Sequence, residues 1–392
     1  MNEVLICSAT RTPIGSFQGV FGSLSAADLG AVVVKEAVVR AGATPDQVER
    51  VYLGNVLSAG MGQAPARQAV IKAGLPDSTG AVTINKVCGS GLQAVMFARR
   101  EIMIGDAGVM VAGGMESMTN APYCLPNARG GYRMGNGQII DTMIHDGLWD
   151  PYNDMHMGNC GDLVAEKYAF SREDQDAFAA ESYRRALGAC EAGKFKDEIV
   201  PVPVPQRRGD PVLVDADEEP SRGDPAKFSK LRAAFNKEGT VTAANASTLN
   251  DGAAALLLAS EEQAQALGLR TVARILCDAS AAVEPKWFTI APVHALQKLY
   301  DKSGTQAGDW DLYEINEAFS GVTLAAVKEH GLDPESVNVH GGAVSLGHPI
   351  GCSGARVLVT LLHALRDRGK RRGVATLCIG GGEAVALGVE LI

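Results

Sequence analysis

The stretch Asn85-Lys-Val-Cys-Gly-Ser-Gly91 has a near-copy late in the chain, Gly351-Cys-Ser-Gly354, which follows His348. About 263 residues separate Cys88 from Gly351, which holds the equivalent place in the copy. Each motif is followed by an apolar stretch of helical character and then by a strand-like one. These stretches are residues 92–104 and 108–112 after the first motif, and residues 355–365 and 374–379 after the second.

The repeat also extends towards the N-terminus. Residues 41–55 read like residues 303–316, and the match ends on Asn55 and Asn316, about 261 residues apart. A single repeat of this length indicates two similar halves, because solenoids repeat every ~20–50 residues. Since one half carries a thiol and the other an imidazole, the pattern predicts an active site between the halves.

Composition narrows the class of protein. A chain of 392 residues predicts two or three domains. The net charge of −9 argues against non-specific nucleic-acid binding. The longest apolar runs, such as residues 253–259, fall short of the roughly 18 residues that a membrane span needs.

The termini and the cysteines indicate the compartment. Residues 1–10 lack the basic region of a secretory signal, and residues 389–392 are no peroxisomal signal. The eight cysteines are scattered and form no CxxC pair, so neither a zinc site nor a disulfide framework is indicated. We therefore expect reduced thiols in a cytoplasmic protein.

Strands and helices alternate through both halves, which predicts parallel sheets covered by helices on both faces. Residues 119–246 break this rhythm with prolines, glycines and a polar helix, and we expect them to form an inserted loop domain. The segments of the first half are a strand at 4–8, a helix at 25–41 ending at Gly42, a strand at 48–57 and a helical pattern at 250–268. Residues 271–392 form the second half.

Cys88 and His348 are the first candidates for chemistry. Cys88 precedes small residues and a helix, where the helix dipole lowers the pKa of a thiol and favours a nucleophile. The other interpretation is a cysteine packed at a strand–helix turn. His348 lies between Gly347 and Pro349 on a constrained turn, which suits either a functional or a structural histidine.

Two further motifs end strands of the second half. Cys378 is followed by Ile379 and by three glycines that begin at Gly380, whose amides suit an oxyanion hole. The Walker lysine is missing, so we reject nucleotide binding there. Asn316 follows another strand, and ligands of open α/β sheets bind at such strand ends.

Taken together, these motifs resemble the thiolase family, and within it the short-chain acetyl-CoA acetyltransferases. The resemblance runs from Val4 to the C-terminus. Any one motif alone would be weak, whereas the set is highly specific. The motifs are Asn85–Gly91, His156-Met-Gly158, Asn245-Ala-Ser-Thr-Leu-Asn-Asp-Gly252, Asn316-Glu-Ala-Phe319, Gly341–Gly351 and Cys378-Ile-Gly-Gly-Gly382.

The resemblance implies an α/β thiolase fold, with two βαβαβαββ halves in a five-layered αβαβα core and an inserted loop domain. The implied bounds are 1–118 plus 249–270 for the N-terminal half, 119–248 for the loop domain and 271–392 for the C-terminal half. It also implies a homotetramer built as a dimer of dimers, with a role in lipid and fatty acid metabolism.

The implied reaction is the reversible Claisen condensation of two acetyl-CoA to acetoacetyl-CoA and CoA. Cys88 would carry the acetyl group, and His348 would take the thiol proton. Cys378 would remove a proton from the second acetyl-CoA. The amides of Cys88 and Gly380 would bind one oxyanion, while His348 and a water held by Asn316 would bind the enolate oxygen.

The resemblance also predicts residues that bind the CoA arm. His156 and Ser247 match positions that meet the pantetheine, and seven apolar residues match its tunnel, each with ordinary core as the alternative. The seven are Leu148, Met157, Phe235, Ala243, Phe288, Ala318 and Phe319. Arg222 and Lys227 suit the anionic end of CoA, but charged loop residues are usually just solvated, so we do not include them. The implied partners are acyl-CoA and CoA, without nucleic acid, membrane or bound metal.

Some positions depart from the family pattern. Asn159–Asp162 follow His-Met-Gly where small residues, Ala and Glu are usual, His340 replaces an Asn, and Glu383 follows the third glycine. Asn245–Thr248 and Ala281–Pro285 resemble potassium-activated members, but Pro220 stands where that group has an ion-associated Tyr. Potassium activation therefore stays open, and no other cofactor is expected.

Three other functions compete with this one. A degradative 3-ketoacyl-CoA thiolase acting on longer acyl chains is the nearest alternative, and an acyl-length series separates the two. A carrier-protein-dependent ketoacyl synthase would have a second histidine in place of Cys378. An inactive thiolase-like scaffold would have lost Cys88 or His348, and both are present.

Overall fold

The computed structural model describes residues 2–392. The strands are β1 (Val4–Arg11), β2 (Gly15–Ser16), β3 (Arg50–Gly54), β4 (Gly80–Ile84), β5 (Val109–Ser117), β6 (Tyr123–Cys124), β7 (Ile140–Asp141), β8 (Trp149–Asp150), β9 (Met155–His156), β10 (Val202–Val204), β11 (Val212–Val214), β12 (Asn250–Ser260), β13 (Ala273–Ala282), β14 (Leu312–Ile315), β15 (Arg372–Ile379) and β16 (Glu383–Leu391). The α-helices are α1 (Ala26–Ala41), α2 (Pro65–Lys72), α3 (Ser90–Ile104), α4 (Met157–Tyr168), α5 (Arg172–Glu191), α6 (Glu261–Leu267), α7 (Ala291–Ser303), α8 (Ser320–His330), α9 (Ala343–Leu346) and α10 (Ile350–Asp367).

The chain order confirms the two repeated halves. The first half runs β1-α1-β3-α2-β4-α3-β5-β12, and the second runs β13-α7-β14-α8-α10-β15-β16. In the second half, the strand expected between α8 and α10 is reduced to a bridge between Tyr313 and Val337. The main strands follow the order β14-β15-β16-β13-β1-β12-β5-β3-β4, so the sheets of the two halves join where β1 pairs with β13.

The prediction of parallel sheets is right only in part. Among the residues that the structure describes, parallel ladders join β3 to β4, β3 to β5 and β14 to β15, and the other ladders are antiparallel. In the second half β15 and β16 are joined by a short glycine turn and pair antiparallel, whereas β5 and β12 of the first half pair antiparallel although the inserted region with α4 and α5 lies between them.

Five layers result from the packing of helices on these sheets. α1 and α2 cover the outer face of the first half, and α7 with α8 covers the outer face of the second. α3 and α10 lie between the two sheets and share the largest apolar cluster with both. This central pair matters for the site, because Cys88 precedes α3 and His348 precedes α10.

Two glycines let the central helices touch. A Cβ on Gly91 of α3 would lie 2.7 Å from the backbone nitrogen of Ala355, and one on Gly354 of α10 would lie 2.4 Å from that of Leu92. Such distances are far below van der Waals contact. The repeated Gly91 and Gly354 of the sequence motif are therefore explained by the crossing of α3 and α10.

Helix ends follow the sequence closely in α1. Ser25 caps its N-terminus in a capping box with Asp28, and Gly42 ends it with a left-handed φ of 76°. The helix predicted at 25–41 is therefore confirmed.

The helical pattern predicted at 250–268 is wrong over most of its length. Asn250–Ser260 is strand β12, and helix α6 covers only Glu261–Leu267. β12 lies between β1 and β5 and is buried along its whole length. A strand covered on both faces is apolar at every position, so it lacks the alternation that distinguishes a strand from a buried helix.

Residues 119–246 break the alternation of strands and helices, as predicted, with short hairpins and the helices α4 and α5. The exact domain bounds remain a prediction. Arg11 at the end of β1 ties this region to the core, because its buried guanidinium pairs with Glu198 at 2.5 Å and Asp217 at 2.7 Å. Within residues 2–392 no helix has the length and apolar character to cross a membrane.

Candidate active site

Cys88 lies on a strained turn between β4 and α3. Val87 before it has a φ of 44°, a left-handed conformation that a β-branched residue rarely adopts and that costs about 1–3 kcal/mol. The hydroxyl of Ser90 holds the turn by accepting from the amide of Lys86 at 2.8 Å and donating to the carbonyl of Val87 at 2.6 Å. The turn places the thiol at the N-terminus of α3, as the motif predicted.

Burial governs the charge of the Cys88 thiol. It raises the pKa to about 11, while hydrogen bonds from the backbone amides of Gly380 and of Cys88 itself act in the opposite direction. The amides of the two residues predicted to form an oxyanion hole thus both lie at the sulfur. A carbonyl oxygen on a group bound to that sulfur is within reach of the same donors.

The imidazole of His348 is held in one orientation and tautomer. Its Nδ1 lies 2.5 Å from Oγ of Ser353, and that hydroxyl lies 2.9 Å from the carbonyl of Pro349, which can only accept. The hydroxyl hydrogen therefore goes to Pro349, and Nδ1 carries the hydrogen that Ser353 accepts. Burial lowers the pKa of His348 to about 3, so the ring is neutral and its Nε2 is free to accept a proton.

Asn316 reaches the other side of the same ring. Its Nδ2 lies 3.5 Å from Nε2 of His348, and its Oδ1 is buried without a hydrogen-bond partner within residues 2–392. Asn316 follows β14 directly, where the Thr376 carbonyl of β15 accepts its backbone amide at 3.0 Å. A buried amide oxygen with no partner beside a neutral imidazole is suited to accept a hydrogen bond from a water.

Cys378 lies on β15, one residue before the strand ends, and is fully buried. Burial raises its pKa well above the usual range, and the neighbouring Cys88 raises it further. The strand then turns through Gly381 and Gly382, both with a positive φ. Cys378 thus lies beside Cys88 and its two backbone donors, and the imidazole of His348 lies beside the amide side chain of Asn316.

A cavity of about 510 Å³ leads to His348. Its walls are mostly apolar and come from residues 143–157, 234–249 and the end of β2, together with Phe319 and Ile350. Seven of the nine predicted substrate-binding residues line it: Leu148, His156, Met157, Phe235, Ala243, Ser247 and Phe319.

Phe288 and Ala318 do not line this cavity. Both are buried in a small apolar cluster that also contains Cys378, so they form the wall behind the thiol. Their tunnel role stays a prediction, and the structure gives them the alternative role of core residues.

His156 is prepared to meet a ligand. Its Nδ1 accepts the amide of Gly158 at 3.0 Å, and its ring stacks on Phe235 with centroids 4.6 Å apart. Burial lowers the pKa of His156, so Nε2 carries the hydrogen of the neutral ring. A Cβ on Gly158 would lie 2.2 Å from the Phe235 ring, which explains the glycine of the His-Met-Gly motif.

Sequence reasoning missed several residues of the site. Ser353, Asn250 and Glu116 hold its framework: Oδ1 of Asn250 accepts the amide of His348 at 2.9 Å, and Glu116 accepts the amide of Gly351 at 3.0 Å. The cavity also contains Arg222, which we had set aside as a loop residue, and Glu219. The repeat of Ser90 and Ser353 in the two motifs was a usable signal for the first of these.

The departures from the family pattern have structural partners. Glu383 forms an ion pair with Lys86, which joins the turn before Cys88 to the glycine turn after Cys378. Oδ1 of Asp162 accepts the amides of Thr240 at 2.8 Å and Val241 at 3.0 Å. The ring of His340 packs edge-on against Phe195 with centroids 6.0 Å apart.

Metal chemistry has no obvious donor set. Within residues 2–392 no group of three or more His, Cys, Asp or Glu side chains is arranged to hold a metal ion.

Comparison with known proteins agrees with this geometry. The thiolase N-terminal domain model matches residues 4–262, and the thiolase C-terminal domain model matches residues 269–391. An acetyl-CoA acetyltransferase of Pseudomonas aeruginosa is 53% identical over 388 residues, which are 99% of both chains.

Solved structures give the same result. The crystal structure of the Bacillus anthracis acetyl-CoA acetyltransferase superposes with a TM-score of 0.98 at 44% identity and covers 100% of this chain and 99% of that one. The Acat5 thiolase from Ascaris suum, in complex with coenzyme A, superposes with a TM-score of 0.95 at 48% identity over 100% of both chains. The chain therefore belongs to the thiolase family.

Proposed function

We propose that the chain is an acetyl-CoA C-acetyltransferase, which condenses two acetyl-CoA to acetoacetyl-CoA and CoA through an acetyl group on Cys88. The observation that carries the proposal is the set of reactive side chains beside the apolar cavity: His348 lines it, and Cys88 and Cys378 share apolar clusters with other residues of its wall. Cys88 has the amide of Gly380 at its sulfur and Cys378 beside it, and His348 lies with Asn316 at 3.5 Å. Relatives named acetyl-CoA acetyltransferase support the acetyl group as the substrate acyl.

The first step is transfer of the acetyl group to Cys88. The resting thiol and imidazole are both neutral, since their pKa values are about 11 and about 3. As the sulfur attacks the thioester carbonyl, its proton passes to Nε2 of His348, and the amides of Cys88 and Gly380 bind the oxyanion. The C–S bond to CoA then breaks, and the leaving thiolate takes a proton from Cys378.

The second step uses the thiolate that this leaves on Cys378. A second acetyl-CoA enters, and Cys378 removes a proton from its methyl carbon. The enolate oxygen receives hydrogen bonds from protonated His348 and from a water on Asn316. The carbanion attacks the acetyl carbonyl on Cys88, and the departing Cys88 thiolate regains its proton from His348.

The cavity binds the pantetheine arm of both substrates. Met157, Phe235 and Phe319 supply apolar walls. Nε2 of His156 and the hydroxyl of Ser247 supply the polar contacts. Arg222 lies at the cavity and is more than half exposed, which suits the anionic nucleotide end of CoA.

Acetyl labelling tests the proposal directly. After incubation with labelled acetyl-CoA, the label is expected on Cys88, and Cys88→Ala is expected to lose activity in both directions while it still binds CoA. Peptide mass spectrometry locates the label. Label on a different cysteine would overturn the assignment of the nucleophile.

An acyl-length series separates this function from the degradative alternative. We expect thiolysis of acetoacetyl-CoA to exceed that of longer 3-ketoacyl-CoAs, because the bulky side chains of Leu148, Met157 and Phe319 line the same cavity as His348. Each further CH₂ that the cavity buries would add about 0.8 kcal/mol of binding free energy. Equal or higher kcat/KM on the longer substrates would therefore favour the alternative.

We also propose a homotetramer, built as a dimer of dimers. Two exposed surfaces are suited to contacts with a second copy of the chain. β4 is an edge strand with its Val82 side chain exposed, and the β6–β7 hairpin region exposes Tyr123, Met134 and Ile139. Light scattering is expected to give four times the chain mass of 41.0 kDa, and a monomer at micromolar concentration would contradict the proposal.

The free thiols support a cytoplasmic location. All eight cysteines are unpaired, which suits a reducing compartment. Cell fractionation with an antibody against the chain tests this placement.

A further inference from the structure

The internal repeat gives the proposed active site a counterpart. Strand β5 of the first half corresponds to β15 of the second, and α10 corresponds to α3. With an offset of about 262 residues, three of the catalytic residues map onto residues that our mechanism does not use. The counterparts of Cys88, Cys378 and Asn316 are Gly351, Glu116 and Asn55.

These three counterparts also lie together. Oε1 of Glu116 accepts Nδ2 of Asn55 at 2.8 Å, and its Oε2 accepts the amide of Gly351 at 3.0 Å. Two more backbone amides reach the same carboxylate, from Val56 at 3.0 Å and from Leu57 at 3.2 Å. Burial raises the pKa of Glu116 to about 7, but its four partners are all donors and stabilise the ionised carboxylate, which can only accept.

The counterpart is closed to a ligand. A Cβ on Gly351, where Cys88 carries its thiol, would lie 2.7 Å from Oε2 of Glu116. The carbonyl of Gly351 would lie 2.0 Å from a Cβ on Gly114 and 2.7 Å from one on Gly54. The carboxylate therefore fills the place of a second nucleophile, and the space around it is packed with backbone.

The carboxylate is connected to the active site through α10. Gly351 lies between His348 and Ser353, and the hydroxyl of Ser353 fixes the imidazole at 2.5 Å. The negative charge of Glu116 also acts on Cys88, whose pKa it raises. A movement of the Gly351 amide would therefore move the base relative to the thiol.

We propose that Glu116 is a positioning residue for His348: by binding the first turn of α10 to the loop after β3, it sets the distance and orientation of the imidazole to Cys88. The inference rests on the proposed function for its kinetic readout. It assigns no contact between Glu116 and substrate.

Glu116→Gln is the informative substitution. It keeps the shape but turns one acceptor into an NH₂ donor that faces donors, so the start of α10 must shift. We expect kcat for condensation to fall about 10²-fold, as for a misplacement of about 1 Å, with the KM for acetyl-CoA nearly unchanged. Alkylation of Cys88 by iodoacetamide, followed by peptide mass spectrometry, is expected to slow as well, because displacement of the base outweighs the small fall in the pKa of Cys88 that loss of the Glu116 charge brings.

Glu49→Gln is the matched control. Oε1 of Glu49 accepts the amides of Gly108 at 2.6 Å and Val109 at 3.1 Å, at the opposite end of β5 from Glu116. The same loss of a backbone-binding carboxylate there is expected to leave kcat, KM and the alkylation rate near the parental values. Rates are expressed per folded molecule, as counted by thermal unfolding.

A second variant tests the proposal if Glu116→Gln does not fold. Asn55→Ala removes one donor and keeps the carboxylate, and it is expected to lower kcat about tenfold, a smaller shift in the same direction. Parental kcat and alkylation rate in whichever variant folds would overturn the proposal. If the parent enzyme fails to condense acetyl-CoA but Glu116→Gln still slows alkylation of Cys88, the proposed function fails and the positioning role stands.

Discussion

Burial sets the resting state of the two central side chains. It raises the pKa of the Cys88 thiol to about 11 and lowers that of His348 to about 3, so both are neutral across the physiological range. Proton transfer from thiol to imidazole is unfavourable until a substrate carbonyl accepts the electrons of the sulfur. We therefore expect Cys88 to be alkylated slowly in the empty site, and activity between pH 5 and 8 should not follow the titration of His348.

Removal of the Ser353 hydroxyl tests whether catalysis depends on the tautomer of His348. In Ser353→Ala, Nδ1–H of His348 loses its acceptor, and the ring is free to turn or to place its hydrogen on Nε2, where it can no longer accept the thiol proton. We expect acetylation of Cys88 to slow by about 10²-fold, the lower end of an acid–base contribution. Single-turnover mass spectrometry of the acetyl-enzyme measures this rate.

Ser8→Ala is the control for that substitution. Oγ of Ser8 is buried and donates to the carbonyl of Ala37 at 2.6 Å, on the outer side of the first half. Its loss is expected to affect stability without slowing acetylation. An equal slowing in both variants would mean that Ser353 acts on folding alone.

Cys378→Ala should separate the two half-reactions. Acetyl transfer to Cys88 needs no proton from a methyl group, whereas condensation does. The acetyl-enzyme should therefore still form, though more slowly because the leaving CoA thiolate loses its proton donor, while turnover falls by about 10²–10⁴-fold. Cys7→Ala removes an equally buried thiol away from the site and should keep parental turnover. Condensation near the parental rate in Cys378→Ala would reduce Cys378 to a core residue.

At the level of elements, the crossing of α3 and α10 determines where the catalytic groups meet. Gly354→Ala would place a Cβ 2.4 Å from the backbone of Leu92 and force the helices apart. We expect a destabilisation of about 1–3 kcal/mol, as for an overpacked core, together with a loss of turnover because both helix N-termini carry the site. Urea unfolding and kcat on one preparation measure the two effects.

Gly188 offers the opposite case. It lies in α5, where a Cβ would meet no atom within 4 Å. Gly188→Ala should therefore raise stability by about 0.5–1 kcal/mol through helix propensity and leave turnover unchanged. A destabilisation like that of Gly354→Ala would show that the helix crossing is not the cause.

The elements that the sequence predicted well are those with local signals. α1 was bounded by Ser25 and Gly42, and the turn of Cys88 was marked by its glycines. β12 was missed because a strand buried on both faces has no period of two, and only its place between β1 and β5 identifies it.

The candidate site divides in the same way. Cys88, His348, Cys378 and Asn316 could be proposed because each belongs to a motif. The structure places Cys378 beside Cys88 and Asn316 beside His348, and their catalytic roles stay a prediction. Glu116 could not be found from the sequence, because its four partners come from two distant segments of the chain and its role depends on their meeting in space. Arg222 was ambiguous, since a charged loop residue has no local sign that it lies beside a cavity.

The cavity exists only if the inserted region stays packed against the two halves. A buried network around Arg11 fixes the inserted region to β1. The guanidinium of Arg11 makes paired hydrogen bonds to Asp217 at 2.7 and 2.9 Å and one to Glu198 at 2.5 Å, and it lies over the ring of Phe195 with its carbon 5.0 Å from the centroid. Glu219, two residues after Asp217, lines the substrate cavity. The stability of this network and the shape of the cavity are therefore linked.

Asp217→Asn should destabilise the Arg11 network and alter the cavity. Loss of one partner leaves the buried guanidinium undercompensated, and such a change costs about 3–5 kcal/mol because the charge cannot return to water without unfolding its surroundings. Since Asp217 also accepts the amide of Ile14 at 2.8 Å, the loss should first free residues 195–220 rather than the central sheets. Hydrogen exchange should therefore quicken in that segment, and the KM for acetyl-CoA should rise more than kcat falls.

Asp224→Asn is the control for this prediction. It removes an exposed ion pair with Lys227 in the same region and should leave hydrogen exchange, KM and urea unfolding unchanged. Asp217→Asn could instead lower global stability, with hydrogen exchange in residues 195–220 as fast as that of the β5 and β12 amides. The inserted region would then unfold together with the core, and the Arg11 network would not affect the cavity separately.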